Sequence, residues 1–209
     1  MIIHPSDLRR PGEFLAERMP PAAGLGLTVL EYGCGTGAAA CFLAERSYRV
    51  HAVDLVPDAI EIARQRAAQR GLSVRFEVRD ICEWGESDEQ YNFVVDAFCL
   101  QSIVTDEDRA RVLDGVRSGL SPKGRYVLST AVYRQDRKYG EEHFDRETGI
   151  VWTPTPGAGG DAKLLDGTWY QPNRRHFTST ALRNELERHG LHVLEIEEPF
   201  GANVICEVR

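Results

Sequence analysis

The residues best placed to do chemistry form one short run, Glu31-Tyr32-Gly33-Cys34-Gly35-Thr36-Gly37, with Asp54 further along the chain. Glycines at alternate positions let a ligand approach the backbone and permit the positive φ of tight turns. A carboxylate at Asp54 can accept two hydrogen bonds from ribose hydroxyls, each charge-assisted and worth roughly 1.5–3 kcal/mol. Gly33-x-Gly35 followed by Ala38 also passes as a loose dinucleotide fingerprint, the mark of a nicotinamide-dependent oxidoreductase. Glu31 separates the two readings. A carboxylate beside this turn repels a pyrophosphate and favours a cationic nucleoside without phosphate.

S-adenosylmethionine, with its ammonium and sulfonium, is such a nucleoside. Each residue also has a plainer reading. Glu31 can be a solvated strand end, Asp54 a helix cap, and Asp80 a turn cap. Cys34 is tempting as a nucleophile but stands where a turn tolerates a small residue. Trp84 reads as core in preference to an adenine contact.

The elements around the turn alternate between two periods. Residues 27–32 form an apolar strand, 38–46 are rich in helix formers, and 48–54 form a second strand. Pro57 suits the first turn of a helix, and Gly71 stands just past its end. Val74, Phe76 and Val78 alternate with charged residues, the pattern of a strand with a wetter face at a sheet edge. Residues 93–96 read as a buried central strand, and Thr105 with Asp108 as a capping box that opens a helix running to about Gly119. A turn over 121–124 precedes a fifth strand at 125–131. A helix near 179–189 and two strands follow. Strands alternating with helices imply an α/β fold with a mostly parallel sheet.

Residues 133–177 break that rhythm, and a hairpin or lid is expected there, on the substrate side. This insertion supplies the candidates for a general base: His143, His176 and Tyr133. His143 beside Glu141 and Glu142 reads as a solvated charge run in preference to a metal site. His176, beside Arg174 and Arg175, either meets an acidic substrate group or lies on the surface.

The segment 31–37 resembles the first motif of the class I, Rossmann-like S-adenosylmethionine-dependent methyltransferases, an acidic residue followed by Gly-x-Gly-x-Gly. The resemblance continues through Asp54, Asp80-Ile81 and the strand ending at Asp96. It extends to Leu120-Ser121-Pro122-Lys123-Gly124, similar to that family's Leu-x-Pro-Gly-Gly turn. It implies a three-layer sandwich with a seven-stranded sheet, an insertion after the fifth strand, and the last strand antiparallel between the fifth and sixth. It also implies roles. The backbone of Gly33, Cys34, Gly35 and Gly37 would pass under the methionine part, with Glu31 toward its amino end. Asp54 would hold the ribose, Leu55 would pack on adenine, and Asp80 and Ile81 would read its edge. Ala97 and Phe98 would flank the reactive methyl, and S-adenosylhomocysteine would be the product. Asp96-Ala97-Phe98-Cys99 stands where enzymes acting on nucleobase or glutamine amide nitrogens carry Asn/Asp-Pro-Pro-Tyr/Phe, which lowers the case for that substrate class.

Composition sets the outer bounds. A length of 209 residues suits one domain, here with an N-terminal segment over 1–26. A net charge of −7 argues against a main role in gripping nucleic acid or an anionic membrane. Five scattered cysteines without metal or redox spacing point to a reducing compartment, and Met1–Pro5 lacks the basic flank and apolar run of a signal peptide. The expectation is a cytoplasmic enzyme that methylates an N or O nucleophile of a small molecule. The other readings are a protein or RNA methyltransferase and an inactive cofactor-binding module.

Overall fold

The computed structural model describes residues 11–84, 89–198 and 201–208; the expectation for Met1–Pro5 lies outside them. Helix α1 (Pro11–Arg18) precedes an alternation of β1 (Thr28–Tyr32), α2 (Ala38–Glu45), β2 (Arg49–Asp54), α3 (Pro57–Gln69) and β3 (Val74–Val78). Then come β4 (Tyr91–Ala97), α4 (Asp106–Gly119) and β5 (Leu120–Thr130). After an insertion the chain returns through α5 (Ser179–Arg188), β10 (Leu191–Glu197) and β11 (Ala202–Val208). The seven strands lie in the order β10-β11-β5-β4-β1-β2-β3. Strand β11 pairs antiparallel with both β5 and β10, while β1 to β5 are parallel. This is the Rossmann-like arrangement expected, with the last strand between the fifth and the sixth.

Successive strand residues point to opposite faces, and each face has its own helices. Val29, Val50, Ala52, Val95 and Val127 pack under Phe14 and Leu15 of α1, Leu43 of α2, and Ile60 and Ala63 of α3. Leu30, Val53, Val94, Tyr126 and Leu128 pack under Val112 and Val116 of α4 and Leu182 and Leu186 of α5. The core therefore lies on both sides of the sheet. Strand β3 stands at the edge with only Phe76 buried, as its alternation predicts.

Trp84 belongs to the core. Its ring packs against α4, where a Cβ added to Gly115 or Gly119 would come within 2.9 or 2.8 Å of it. That contact accounts for two glycines in a helix, each unfavourable there by about 1 kcal/mol relative to alanine.

Two sequence expectations change in detail. The turn over 121–124 sits inside β5: the chain loops out between the pairs Tyr91–Leu120 and Phe93–Arg125 and then resumes its pairing. Pro122 has no N–H to give a ladder, and such a residue is accommodated at a bulge. The insertion is also more than a hairpin. It holds β6 (His143–Phe144), β7 (Ile150–Pro154), β8 (Lys163–Leu165) and β9 (Thr168–Arg175) in a second, antiparallel sheet ordered β6-β7-β9-β8. Among the described residues no helix is long and apolar enough to cross a membrane.

Candidate functional site

The turn after β1 has the backbone its glycines require. Gly33 adopts φ +61°, and a Cβ there would lie 2.3 Å from Cys99 Sγ. Gly35, at φ +52°, faces open space instead, so a ligand can approach its backbone. Gly37 caps α2, and Cys34 N–H donates to Val53 O at 3.0 Å. Asp54 ties this turn to the end of β2: Oδ2 accepts from Gly35 N at 2.7 Å and Oδ1 from Val56 N at 2.9 Å. Each oxygen keeps a lone pair for a ligand.

Glu31 lies beneath the turn, only 2 % exposed, and its Oε2 has no hydrogen-bond partner among the described residues. Burial, reinforced by the Asp96 carboxylate, raises its pKa to about 8 against the pull of the Ala40 N–H. The free protein thus holds Glu31 largely protonated at neutral pH, which corrects the picture of a standing negative charge. A cation arriving beside it would favour the ionised form. Burial, with Glu31 and Asp54 nearby, also pushes the Cys34 thiol far above its usual range, so no nucleophilic thiolate forms there.

A pH test follows. A pKa raised above the ordinary value near 4.5 contributes stability that is complete below that pH and lost as pH rises through about 8. His176 acts oppositely: its pKa falls from 6.5 to about 3, so it destabilises only below 6.5. Between pH 6.5 and 8 the ligand-free protein is therefore expected to lose thermal stability, and Glu31→Gln to flatten that slope. Parallel slopes in a buffer-matched melting series would refute the assignment.

A cavity of about 610 Å³ opens at the carboxyl ends of the parallel strands, where open α/β sheets bind ligands. Gly33, Asp54, Leu55, Asp80 and Ile81 line it together. Asp80 also fulfils its plainer reading, accepting from Cys82 N at 2.8 Å to cap a short 3₁₀ turn. Ala97 and Phe98 are not among the lining residues, but the next residue, Cys99, is. The backbone at Phe98 is strained, with φ +71°. The opposite wall comes from 102–105, and Ile150, Trp152 and Pro172 of the second sheet close the space from above. Trp152 Nε1 is buried without a partner among the described residues.

The three candidate bases do not converge on this cavity. His143 is exposed on β6, edge-on to Tyr170. Tyr133 stacks on Phe144 at 4.9 Å and lines a second cavity of about 320 Å³ with His176. His176 is buried, not on the surface, with Nδ1 3.2 Å from Tyr139 Oη and Nε2 unpartnered among the described residues. Burial and the charges of Arg137 and Arg174 keep it neutral, which removes it as a base titrating near pH 7. Glu142, beside His143, pairs with Arg174.

Three residues that shape the site were given no role from the sequence. Asp96, buried at the end of β4, accepts from Cys99 N (2.6 Å), Leu100 N (2.8 Å) and Tyr32 Oη (2.7 Å). Burial lifts its pKa to about 6 even against those bonds. Arg109 and Glu185 form a buried bidentate pair, both bonds 2.7 Å, while Arg109 also donates to Leu100 O (2.6 Å) and Ile103 O (3.0 Å). A signal existed: Arg109 shares the apolar stripe of Val112, Leu113 and Val116, and Glu185 sits between Leu182 and Leu186. A charge on a buried stripe calls for a partner.

Residues 29–124 match the family model described as a methyltransferase domain. That match covers just under half of the chain, from β1 to the turn inside β5, and the topology around it is that of the class I, Rossmann-like methyltransferase fold. It is 33% identical over 101 residues to the 2-heptyl-1-hydroxyquinolin-4(1H)-one methyltransferase of Mycobacteroides abscessus, covering 48% of this chain and 44% of that protein. It is 28% identical over 118 residues to a ubiquinone biosynthesis O-methyltransferase of Xanthomonas axonopodis pv. citri, covering 56% and 47%. The chain spans about half the length of these curated relatives. The structure of the CcbJ methyltransferase from Streptomyces caelestis superposes with a TM-score of 0.72 at 18% identity, covering 94% of this chain and 87% of that one.

Proposed function

We propose that the protein transfers a methyl group from S-adenosylmethionine to an oxygen or nitrogen of a small molecule. The observation that carries this reading is the buried Glu31 carboxyl under a glycine turn, its Oε2 without a partner among the described residues, with Asp54 at the rim. An ammonium group satisfies that carboxyl, whereas a pyrophosphate would be repelled once it ionised. S-adenosylmethionine supplies a sulfonium-activated methyl, and S-adenosylhomocysteine remains after transfer.

The chain's own residues do the holding. Glu31 faces the amino end and Asp54 the ribose hydroxyls. Leu55 and Ile81 flank the adenine, with Asp80 at its edge, and the backbone of 33–37 underlies the methionine part. Ala97 and Phe98, just before the cavity-lining Cys99, would come near the reacting methyl through the backbone of that turn. Alignment of nucleophile and methyl is the main contribution, up to roughly 7–11 kcal/mol in well-oriented intramolecular models. Tyr133 and His176 line the separate second cavity and would meet only an acceptor that extends into it. A neutral His176 offers a hydrogen bond and leaves proton removal to solvent or to an acceptor that enters neutral. His143, on open surface, reaches only a bulky acceptor.

A small acceptor is supported by the net charge of −7 and by relatives whose names state a quinolone and ubiquinone biosynthesis. Five free cysteines suit the reducing cytoplasm. Titration calorimetry tests the cofactor: S-adenosylhomocysteine is expected to bind with micromolar or better affinity and NADH not at all. The reverse result would overturn the reading. Release of S-adenosylhomocysteine from a panel of phenols and amines then assigns the accepting atom.

A further inference from the structure

We propose that Arg175 is a positioning residue that latches the second sheet, as a roof, onto the wall of the cavity and so sets how long a bound nucleoside is retained. The inference rests on the methyl-donor reading above. Arg175 ends β9 and is 8 % exposed. Its Nε donates to Thr148 O at 2.9 Å, just before β7, and its Nη1 to Val104 O at 3.0 Å, in the cavity wall. Nη1 also pairs with Asp106 in the first turn of α4.

One planar guanidinium, carried on β9, therefore grips the chain just ahead of β7 and the wall. Ile150, which lines the cavity from the roof, is the residue paired with Arg175 in the sheet. The wall is gripped from its other side by Arg109, at Leu100 O and Ile103 O. The two guanidiniums lie 4.8 and 5.1 Å from the same Phe177 ring, which fixes their spacing. Most of the grip lies in the two backbone bonds, because the Asp106 side chain is 80 % exposed and its charge is screened. A lysine has one nitrogen on a flexible stem and cannot reproduce this planar span.

Wild type, Arg175→Lys, Arg175→Met and Asp106→Asn would be compared by stopped-flow measurement of S-adenosylhomocysteine dissociation. Arg175→Met and Arg175→Lys are each expected to speed release about tenfold or more, from two lost buried bonds, and Asp106→Asn by less than about threefold. Acrylamide quenching without ligand, in a Trp169→Phe background, gives a second readout. Trp84 is core, so greater quenching in the Arg175 variants reports an opened roof at Trp152. Where Arg175→Met does not fold, Arg175→Lys carries the test. A lowered melting temperature with unchanged release rate and unchanged quenching would overturn the latch. If wild type fails to bind S-adenosylhomocysteine, the methyl-donor reading falls instead, and unchanged quenching alone then decides against the latch.

Discussion

Asp54→Ala is expected to weaken S-adenosylhomocysteine binding by two orders of magnitude or more. Two losses combine. The ribose loses its acceptors, each charge-assisted bond being worth roughly 1.5–3 kcal/mol against 1.4 kcal/mol per tenfold in affinity. The glycine turn also loses its tether, because Asp54 holds Gly35 N at 2.7 Å and Val56 N at 2.9 Å. A ligand must then reorder a turn that wild type presents already formed. Asp54→Asn keeps the shape and one acceptor oxygen, so it should fall between wild type and alanine. Calorimetry on both variants checks the order. Equal affinity across the three proteins would remove Asp54 from the site and leave it as a turn residue.

The second large effect is on stability. Arg109 and Glu185 are both nearly fully buried, and Glu185→Leu would leave a guanidinium inside the core with half its partners gone. Breaking a buried pair in this way costs about 3–5 kcal/mol. At roughly 2–4 °C per kcal/mol for a chain of this size, melting should fall by about 6–20 °C. Arg109→Met should cost at least as much, because it also strips the donors from Leu100 O and Ile103 O. The double variant removes the stranded charge but not the stranded carbonyls, so its loss should be well below the sum of the singles. Additive losses in a double-mutant cycle would show that the two charges are not coupled and would refute this account.

The same pair shows what could and could not be read without coordinates. Arg109 and Glu185 each interrupt an apolar helical stripe, and that anomaly is written in the sequence. Their pairing is not, because it depends on how α4 and α5 pack on the same face of the sheet. Asp96 is similar. Its place at the end of β4 follows from an apolar run, but its grip on Cys99 N and Leu100 N needs the backbone of the next turn. His176 looked like a residue for neutral-pH chemistry by type alone. Its burial beside Arg137 and Arg174 takes that chemistry away.

By itself the sequence determined the βα rhythm, the glycine turn, the Thr105 cap, the edge character of β3 and the carboxylates at 31, 54 and 80. Those features rest on neighbours in the chain: strand and helix periods, turn residues, and spacing within one βα unit. Tertiary structure alone decided that the insertion folds into a sheet of its own. It also decided that Trp152 and Ile150 close the cavity, that Glu31 is held protonated, and that the wall over 99–105 hangs from two arginines. Desolvation and pairing depend on which distant surfaces meet, and no local pattern carries that information.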